Sequence, residues 1–459
     1  MVLRVALISS AQIRAGRGDV VALADGDREI TWSGLDRLLN EATNALLSLV
    51  GSGPGEPRSE RRIAVFARNS VEVLVVHLAA HLAGVSSVPV SSLLGADELA
   101  YILTDSKAQA VFAGPETLDV AMAAVRHADI GPRPTTSTGP GHRLIAWRSP
   151  DSPGVSNWDS WLCGSSDEEP DTTQAPLYAL LYTSGTTGRP KGTQIRTQPP
   201  LRDTVGEWIP ALGAGIVAAG RPHLVVGPLH HTGPFVAVRY LASGSTVAVL
   251  QRFDASALLS LIDRYRVAST LMVPTHFSRL LAVPVDERER YDVTSLEWVA
   301  HTGAATPVDV KRAMIEWFGP VLFEAYGASE SGTVCAISSH DWLLRPGSVG
   351  KCSPGFRVLV IDDDGVEVGP NVEGRLFFED LSGRGIIYHN DPAKTAAVHL
   401  RPGVFTIGEV GYVDDEGHFA DREYAGSKVY RCRLRRVIVV DDAPTGKIFE
   451  EQPDRKSVV

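Results

Sequence analysis

The chain of 459 residues is long enough for two or three domains with a large hydrophobic core. Its 44% hydrophobic and 21% charged residues are ordinary for a soluble globular protein. A formal net charge of −10 excludes a general electrostatic attraction to nucleic acid or to anionic membranes, so any nucleotide site must be built from local groups.

The cysteines and the apolar stretches predict a cytoplasmic protein without a membrane span. The four cysteines form neither a CxxC pair nor a zinc-like spacing, which is typical of reduced thiols. The short apolar run at the N-terminus is interrupted by Gln12 and Arg14, and this argues against a secretory signal. The most apolar window, 73–90, contains His77 and His81 and predicts a core helix and strand.

Residues from about 20 to 327 alternate short β-branched runs with longer helical patterns. The runs predict strands at 63–67, 87–90, 110–113, 144–147, 177–183, 224–227, 246–250, 269–273 and 296–300. Apolar residues at helical spacing predict helices at 71–82, 96–103 and 308–317. This alternation predicts an α/β fold of layered, mainly parallel sheets flanked by helices.

The pattern of predicted secondary structure changes after Gly327. Short runs at 357–361, 374–378, 385–388 and 411–419 are separated by Gly, Asp and Pro, which is typical of a β-rich unit. We therefore predict a large domain over 1–422, of which 331–422 is a β-rich subdomain. A short C-terminal segment, 423–459, follows it.

The segment YTSGTTGRPKG at 182–192 follows a predicted buried strand and combines glycines, hydroxyls and two cations. Glycines let main-chain N–H groups approach an anion, and hydroxyls donate further hydrogen bonds. Arg189 and Lys191 supply charge for phosphate oxygens. An ordinary polar loop is the alternative, but the full pattern after a strand favours phosphate binding. Pro190 before Lys191 distinguishes it from a Walker loop.

This segment resembles the phosphate loop of the adenylate-forming superfamily, which includes acyl-CoA synthetases, luciferases and the adenylation domains of peptide synthetases. The resemblance implies that a carboxylate attacks the α-phosphate of ATP to give an acyl adenylate and pyrophosphate. It also implies that the triphosphate contacts lie at Thr183, Ser184, Gly185, Thr186, Thr187, Gly188 and Lys191.

The segment PLHHTG at 228–233 lies between a predicted strand and a predicted helix, a position that often lines ligand crevices in α/β sheets. By resemblance, His231 would flank the carboxylate of the acid, although a histidine pair can also be purely structural. Peptide-synthetase domains hold the substrate amino group with a nearby Asp. Residues 234–238 offer no carboxylate, which favours a simple organic acid over an amino acid.

Two further segments resemble the adenine and metal contacts of the superfamily. The segment HTGAA at 301–305 would place Gly303 and Ala304 against adenine. In the segment YGASE at 326–330, the resemblance implies that Tyr326 stacks on adenine, Gly327 makes a tight turn, and Ser329 contacts the α-phosphate. Glu330 would hold Mg²⁺, and Glu324 and Ala325, just before this segment, would complete the nucleotide contacts.

The segment TIGEVGYVDDEG at 406–417, followed by Asp421 and Arg422, resembles the ribose-binding region. Most relatives carry Asp where this chain has Glu409. Glutamate keeps the negative charge of aspartate, but its extra methylene group would weaken nucleotide binding. Arg422 would also contact the ribose. These landmarks follow the family order over nearly all of residues 20–422.

The resemblance ends after Arg422, where the superfamily continues into a longer, mobile C-terminal domain. The last part of this chain resembles only the end of that domain, including a lysine loop at Lys447. A truncated domain would hold Lys447 without the preorganisation that catalysis needs, and this would slow adenylation and impair transfer to CoA more severely. The alternative, to which we give equal weight, is that Lys447 is a solvent-exposed lysine without a catalytic role.

The sequence therefore predicts an acyl-CoA synthetase-like ligase of the fatty-acid–CoA ligase type. It would use ATP with Mg²⁺, and CoA as a possible co-substrate, to activate a hydrophobic carboxylic acid. Its proposed catalytic residues are Lys447, Thr183, Glu330 and His231. An impaired nucleotide- or acyl-binding protein on the same fold is the alternative.

Overall fold

The computed structural model describes residues 8–26, 28–50, 61–128, 144–150, 152–183, 190–195 and 200–421. The helices are α1 Ile8–Arg14, α2 Trp32–Leu49, α3 Val71–Leu82, α4 Ala96–Ser106, α5 Leu118–His127, α6 Trp158–Leu162, α7 Val205–Leu212, α8 Gly233–Ala242, α9 Ala255–Tyr265, α10 Pro274–Leu281, α11 Val285–Arg288, α12 Val308–Phe318, α13 Ser339–Leu344 and α14 Pro392–Ala397.

The strands of the first half are β1 Val21–Asp25, β2 Arg28–Thr31, β3 Arg62–Phe66, β4 Ser86–Val90, β5 Ala110–Ala113, β6 Leu144–Ala146, β7 Val155–Asn157, β8 Leu180–Thr183, β9 Lys191–Gln194, β10 His223–Val225 and β11 Val247–Val249. Those of the second half are β12 Ser269–Met272, β13 Trp298–His301, β14 Leu322–Ala328, β15 Gly332–Ser338, β16 Lys351–Cys352, β17 Phe356–Ile361, β18 Gly374–Asp380, β19 His399–Arg401, β20 Val404–Phe405, β21 Val410–Val413 and β22 Phe419–Asp421.

The largest sheet has nine strands in the order β16-β15-β14-β13-β12-β10-β11-β1-β2. Its six central strands, from β14 to β1, pair in parallel. The outer strands β2, β15 and β16 pair antiparallel. Because parallel strands place their carboxyl ends at one edge, the segments that follow β10, β12, β13 and β14 all leave from the same edge.

A second sheet, ordered β4-β3-β5-β6-β7, is parallel throughout. Helix α3 packs beside it with all twelve of its side chains buried. Its start is fixed by Ser70, whose hydroxyl accepts a hydrogen bond from the main-chain N–H of Val73 at 3.4 Å. Burying each Val or Leu of such a helix contributes about 1.5–3 kcal/mol, so α3 forms through its packing. The predicted α/β architecture with mainly parallel sheets is confirmed.

The β-rich part consists of an antiparallel sheet ordered β19-β20-β18-β21-β22, with β17 paired to β18. This sheet begins at Phe356, whereas residues 332–352 still extend the nine-stranded sheet. The strand predicted at 385–388 is wrong, because this segment makes only an isolated bridge from Tyr388 to Thr193. The proposed division at 422 lies outside the described residues and stays a prediction.

No helix in the described part of the chain combines the length and the apolarity that crossing a bilayer requires. The described cysteines are thiols. Among them, Cys335 and Cys352 are cross-strand neighbours with their sulfur atoms 3.8 Å apart, although 17 residues separate them in the sequence.

His77 lies fully buried on α3, and neither of its ring nitrogens has a hydrogen-bond partner among the described residues. Its ring packs edge-on against Phe235 with the centroids 5.6 Å apart. Burial, together with the neighbouring His81, lowers the pKa of His77 to about 3. The imidazole is therefore neutral in the folded protein at pH 7.

The buried His77 is expected to make the fold sensitive to acid. Below pH 6.5 the unfolded chain binds a proton at His77 that the folded chain does not, so stability is lost as the pH falls below that value. The loss is about 1.4 kcal/mol per pH unit. We expect His77→Leu to make the free energy of unfolding depend less steeply on pH between 6 and 4.5, by the amount that corresponds to one bound proton. Denaturant titrations at several pH values measure this slope.

His340 is exposed and serves as the matched control. His340→Gln should leave the slope as in the natural chain. An unchanged slope in His77→Leu would show that His77 is not the group responsible.

Candidate active site

The glycine-rich segment begins on a two-stranded hairpin, β8–β9. Its register pairs Tyr182 with Gly192 and Thr183 with Lys191. The side chains of Thr183 and Lys191 therefore share one face of the hairpin. Tyr182 anchors the hairpin because its hydroxyl donates to Asp105 Oδ2 at 2.6 Å. The intervening positions Ser184, Gly185, Thr186, Thr187 and Gly188 lie outside the described residues.

Thr183 meets Glu330 directly. The Thr183 hydroxyl donates to Glu330 Oε1 at 3.1 Å, across 147 positions of sequence. Two segments that were assigned separately to phosphate and metal binding are thus in hydrogen-bond contact. The bond links two of the predicted site regions directly.

Three residues that sequence analysis did not identify, Tyr388, Asp391 and Lys394, complete this corner of the site. Asp391 Oδ2 lies 3.6 Å from Lys191 Nζ, and the Lys394 ammonium lies 4.0 Å from the centre of the Tyr388 ring. Burial, with the nearby carboxylates of Glu330 and Asp391, raises the pKa of Tyr388 to about 12. We call these residues the Glu330 cluster: Thr183, Lys191, Glu330, Tyr388, Asp391 and Lys394.

The histidine segment follows β10 and is held in place by a residue that the sequence did not single out. Asn69, at the start of α3, donates to the carbonyls of Gly227 and Leu250, both at 3.0 Å, and accepts from the Leu229 N–H at 2.7 Å. These bonds fix the main chain just before His230 and His231.

The two rings of the histidine segment lie 4.7 Å apart. His230 is half-buried, and His231 is partly covered by protein but remains accessible to solvent. Partial burial by the surrounding protein lowers the pKa of both residues. The pKa of His230 falls to about 4, mainly through burial and to a smaller extent through charge repulsion from His231. Both imidazoles are therefore neutral at pH 7. His231 can offer a ring N–H or a lone pair to a ligand without carrying a charge.

The next two predicted segments follow the neighbouring strands β13 and β14. Gly303, just after β13, has a φ angle of +91°, a backbone conformation that residues other than glycine rarely adopt. Ala304 beside it is half-buried. The tight turn predicted at Gly327 is wrong, because Gly327 lies within β14, where the register with β15 shifts, and a Cβ atom there would lie 2.0 Å from the Gly332 carbonyl oxygen. The turn follows Ala328, and Ser329 and Glu330 lie in it between β14 and β15.

The segments carrying His231, Gly303 and Tyr326 thus leave one edge of the large sheet, and Thr183 joins them through Glu330. The AMP-binding enzyme family matches residues 11–382 of the chain. The chain belongs to the AMP-binding enzyme family.

Several relatives within this family are similar over most of their length. Luciferin 4-monooxygenase of Nipponoluciola cruciata is 28% identical over 82% of this chain and 70% of its own. Long-chain-fatty-acid–CoA ligase FadD13 of Mycobacterium tuberculosis is 28% identical over 90% of this chain and 78% of its own. The structure of this chain matches the inhibitor-bound N-terminal domain of FACL13 from M. tuberculosis with a TM-score of 0.70 and 24% sequence identity. The match covers 91% of this chain and 99% of that domain.

Tyr326, which the family resemblance assigns to adenine stacking, is only 5% exposed. Its ring packs edge-to-face against Phe419 with the centroids 5.2 Å apart, and Phe378 lies further away at 6.2 Å. Ala325, the preceding residue, is half-buried. The stacking role stays a prediction.

Glu324 differs from the other predicted nucleotide contacts in its orientation. Its carboxylate is buried and accepts a hydrogen bond from the ammonium of Lys311 on α12, while His301 Nε2 lies 3.9 Å away. Burial raises the pKa of Glu324 and lowers that of Lys311, and their mutual attraction opposes both shifts. The Glu324 side chain therefore packs inside the protein beside β13 and α12, and its role as a nucleotide contact stays a prediction.

The predicted ribose and tail residues lie at or beyond the end of the described chain. Glu409 immediately precedes β21, and its carbonyl accepts from the Leu376 N–H at 3.0 Å. Arg422 and Lys447 lie outside the described residues. The roles of all three in binding or catalysis stay predictions.

Proposed function

We propose that this AMP-binding family member uses ATP to activate a hydrophobic carboxylic acid as an acyl adenylate. The observation that carries the proposal is the hydrogen bond from Thr183 to Glu330 at 3.1 Å. It joins the start of the glycine-rich segment to the carboxylate that the family resemblance assigns to the metal. In the reaction, an acid oxygen bonds to the α-phosphorus while the bond to the β-phosphate oxygen breaks, and pyrophosphate leaves.

The Glu330 cluster supports this chemistry with charges of both signs. Lys191 supplies a cation for phosphate oxygens, and Thr183 supplies a hydroxyl donor. The described residues contain no group of three His, Cys, Asp or Glu side chains able to hold a metal by themselves. A single carboxylate fits Mg²⁺ nonetheless, because this ion binds through one or two carboxylates together with substrate phosphates. Glu330 would hold it, and the ion would offset phosphate charge.

The acid is assigned to the side of the site where the histidine segment meets α8. His231 is uncharged there at neutral pH and can donate a ring N–H to the carboxylate. Phe235, on the first turn of α8, packs against the apolar residues Ala179, Leu181 and Ile195. An apolar wall beside a neutral hydrogen-bonding group favours an organic acid with a hydrophobic body over an amino acid.

The proposal ends at the acyl adenylate. Transfer to CoA is the reaction named for the ligase FadD13, and a thioester step in this chain is a separate proposal with CoA as acceptor. Lys447 is assigned to neutralise charge during adenylation, and Lys447→Ala tests that assignment. A nucleotide- or acyl-binding protein without activity is the second candidate, which Glu409 in the family's Asp position favours.

A pyrophosphate-exchange assay over a panel of acids tests the proposal. We expect label to enter ATP with at least one aliphatic or aromatic acid, and hydroxylamine to trap the corresponding hydroxamate. Reactions without acid and reactions with free amino acids serve as controls. ATP binding without exchange for any acid would support the binding-protein candidate, and exchange confined to amino acids would contradict the assigned substrate class.

A further inference from the structure

Lys394 has a fixed position in the Glu330 cluster that no predicted role accounts for. It is the third residue of α14, and its main-chain N–H donates to the N-capping carboxylate of Asp391 at 2.8 Å. Its half-buried ammonium lies 4.0 Å from the centre of the Tyr388 ring. The ring limits the conformations of the side chain and attracts its charge.

The main chain joins this lysine to the glycine-rich hairpin. Thr193 of β9 forms a bridge with Tyr388, and the His389 N–H donates to the Gly192 carbonyl at 2.7 Å. The segment that carries Lys394 is therefore attached to the strand that carries Lys191. Asp391, one turn before Lys394, adds a side-chain link to Lys191 at 3.6 Å.

The charges around Lys394 are those of a shared site. Burial and the neighbouring Lys191 lower its pKa, whereas the carboxylates of Glu330 and Asp391 raise it. Two cations thus stand beside two carboxylates. Cations in such proximity repel one another and gain from a bound polyanion, whose oxygens accept hydrogen bonds from both ammonium groups.

We propose that Lys394 is a second phosphate-binding cation, which contacts the β- or γ-phosphate of a nucleoside triphosphate together with Lys191. The inference rests on the proposed function and deepens it, because it assigns a phosphate contact outside the glycine-rich segment. It also gives Tyr388 a role, which is to position the ammonium.

Calorimetric titration of Lys394→Gln with ATP, AMP and inorganic tripolyphosphate, without any acid, tests the assignment. Loss of a charged contact is expected to weaken ATP and tripolyphosphate binding by about tenfold and to leave AMP binding unchanged. Lys394→Arg keeps the charge and should recover part of the affinity. Lys351→Gln, at an exposed lysine on β16, is the matched control and should bind all three ligands normally.

Unchanged ATP and tripolyphosphate affinity in Lys394→Gln would overturn the assignment. Equal weakening of AMP binding would also overturn it, because that pattern indicates a general structural effect. Absence of tripolyphosphate and ATP binding in the natural chain would do the same. Because no acid is present, tight ATP binding that depends on Lys394 would support the assignment even if every acid fails in the exchange assay.

Discussion

Glu330→Gln is expected to reduce acid-dependent pyrophosphate exchange by about 10²–10³-fold, the usual cost of removing one preorganised charge-stabilising group. Glutamine keeps the shape of the side chain, and its carbonyl oxygen can still accept the 3.1 Å hydrogen bond from Thr183. Only the negative charge is lost, and with it the group that we assign to the metal. Initial exchange rates at saturating acid and varied Mg²⁺ measure the effect.

The matched control for this prediction is Glu289→Gln, at an exposed carboxylate just after α11. It should exchange at the natural rate. If Glu330→Gln retains more than about a fifth of the activity, the carboxylate is not part of the reaction centre, since the loss would then be under 1 kcal/mol.

Lys311→Met is expected to destabilise the folded protein by about 3–5 kcal/mol, because it leaves the buried carboxylate of Glu324 without its partner. Lys311 and Glu324 are almost entirely inaccessible, and the Lys311 ammonium also lies 4.7 Å from the centre of the Trp342 ring. Methionine has nearly the shape of lysine, so the loss comes mainly from the charge. Equilibrium unfolding in urea at pH 7 measures it.

The double variant Lys311→Met/Glu324→Leu separates the unpaired charge from the packing. Replacing both members of a buried ion pair with apolar groups is often neutral or stabilising, so most of the lost stability should return. A double variant as unstable as Lys311→Met would show that the cost arises from altered packing on α12.

Much of the fold could be predicted because its signals are local. The buried strands β3, β5, β10 and β12 are short runs of apolar and β-branched residues, and α3 shows the apolar content of a core helix. Strand limits at 177–183 and 411–419 were less accurate. The first strand begins only at Leu180, and the second range divides into β21 and β22 around a turn.

The candidate site could be predicted where its residues occur in contiguous motifs, as with Thr183 and the segment from Tyr326 to Glu330. Residues that enter from distant parts of the chain could not be found in this way. Asn69 holds a loop that follows it by about 160 positions. Lys394 lies over the ring of Tyr388, which is bridged to the hairpin through Thr193. The Lys311–Glu324 pair was also missed, because a charged residue in a helical pattern usually indicates a solvent-facing side.

The pairing of Thr183 with Lys191 makes the hairpin a unit that cannot be adjusted residue by residue. Side chains alternate between the two faces of a strand, so a slip of one position would turn the hydroxyl or the ammonium away from its partner. An insertion within either strand is therefore predicted to be far more damaging than a conservative substitution at the same place. Directed evolution of this scaffold should accordingly leave the length of both hairpin strands intact and vary the proposed acid-binding wall near Phe235.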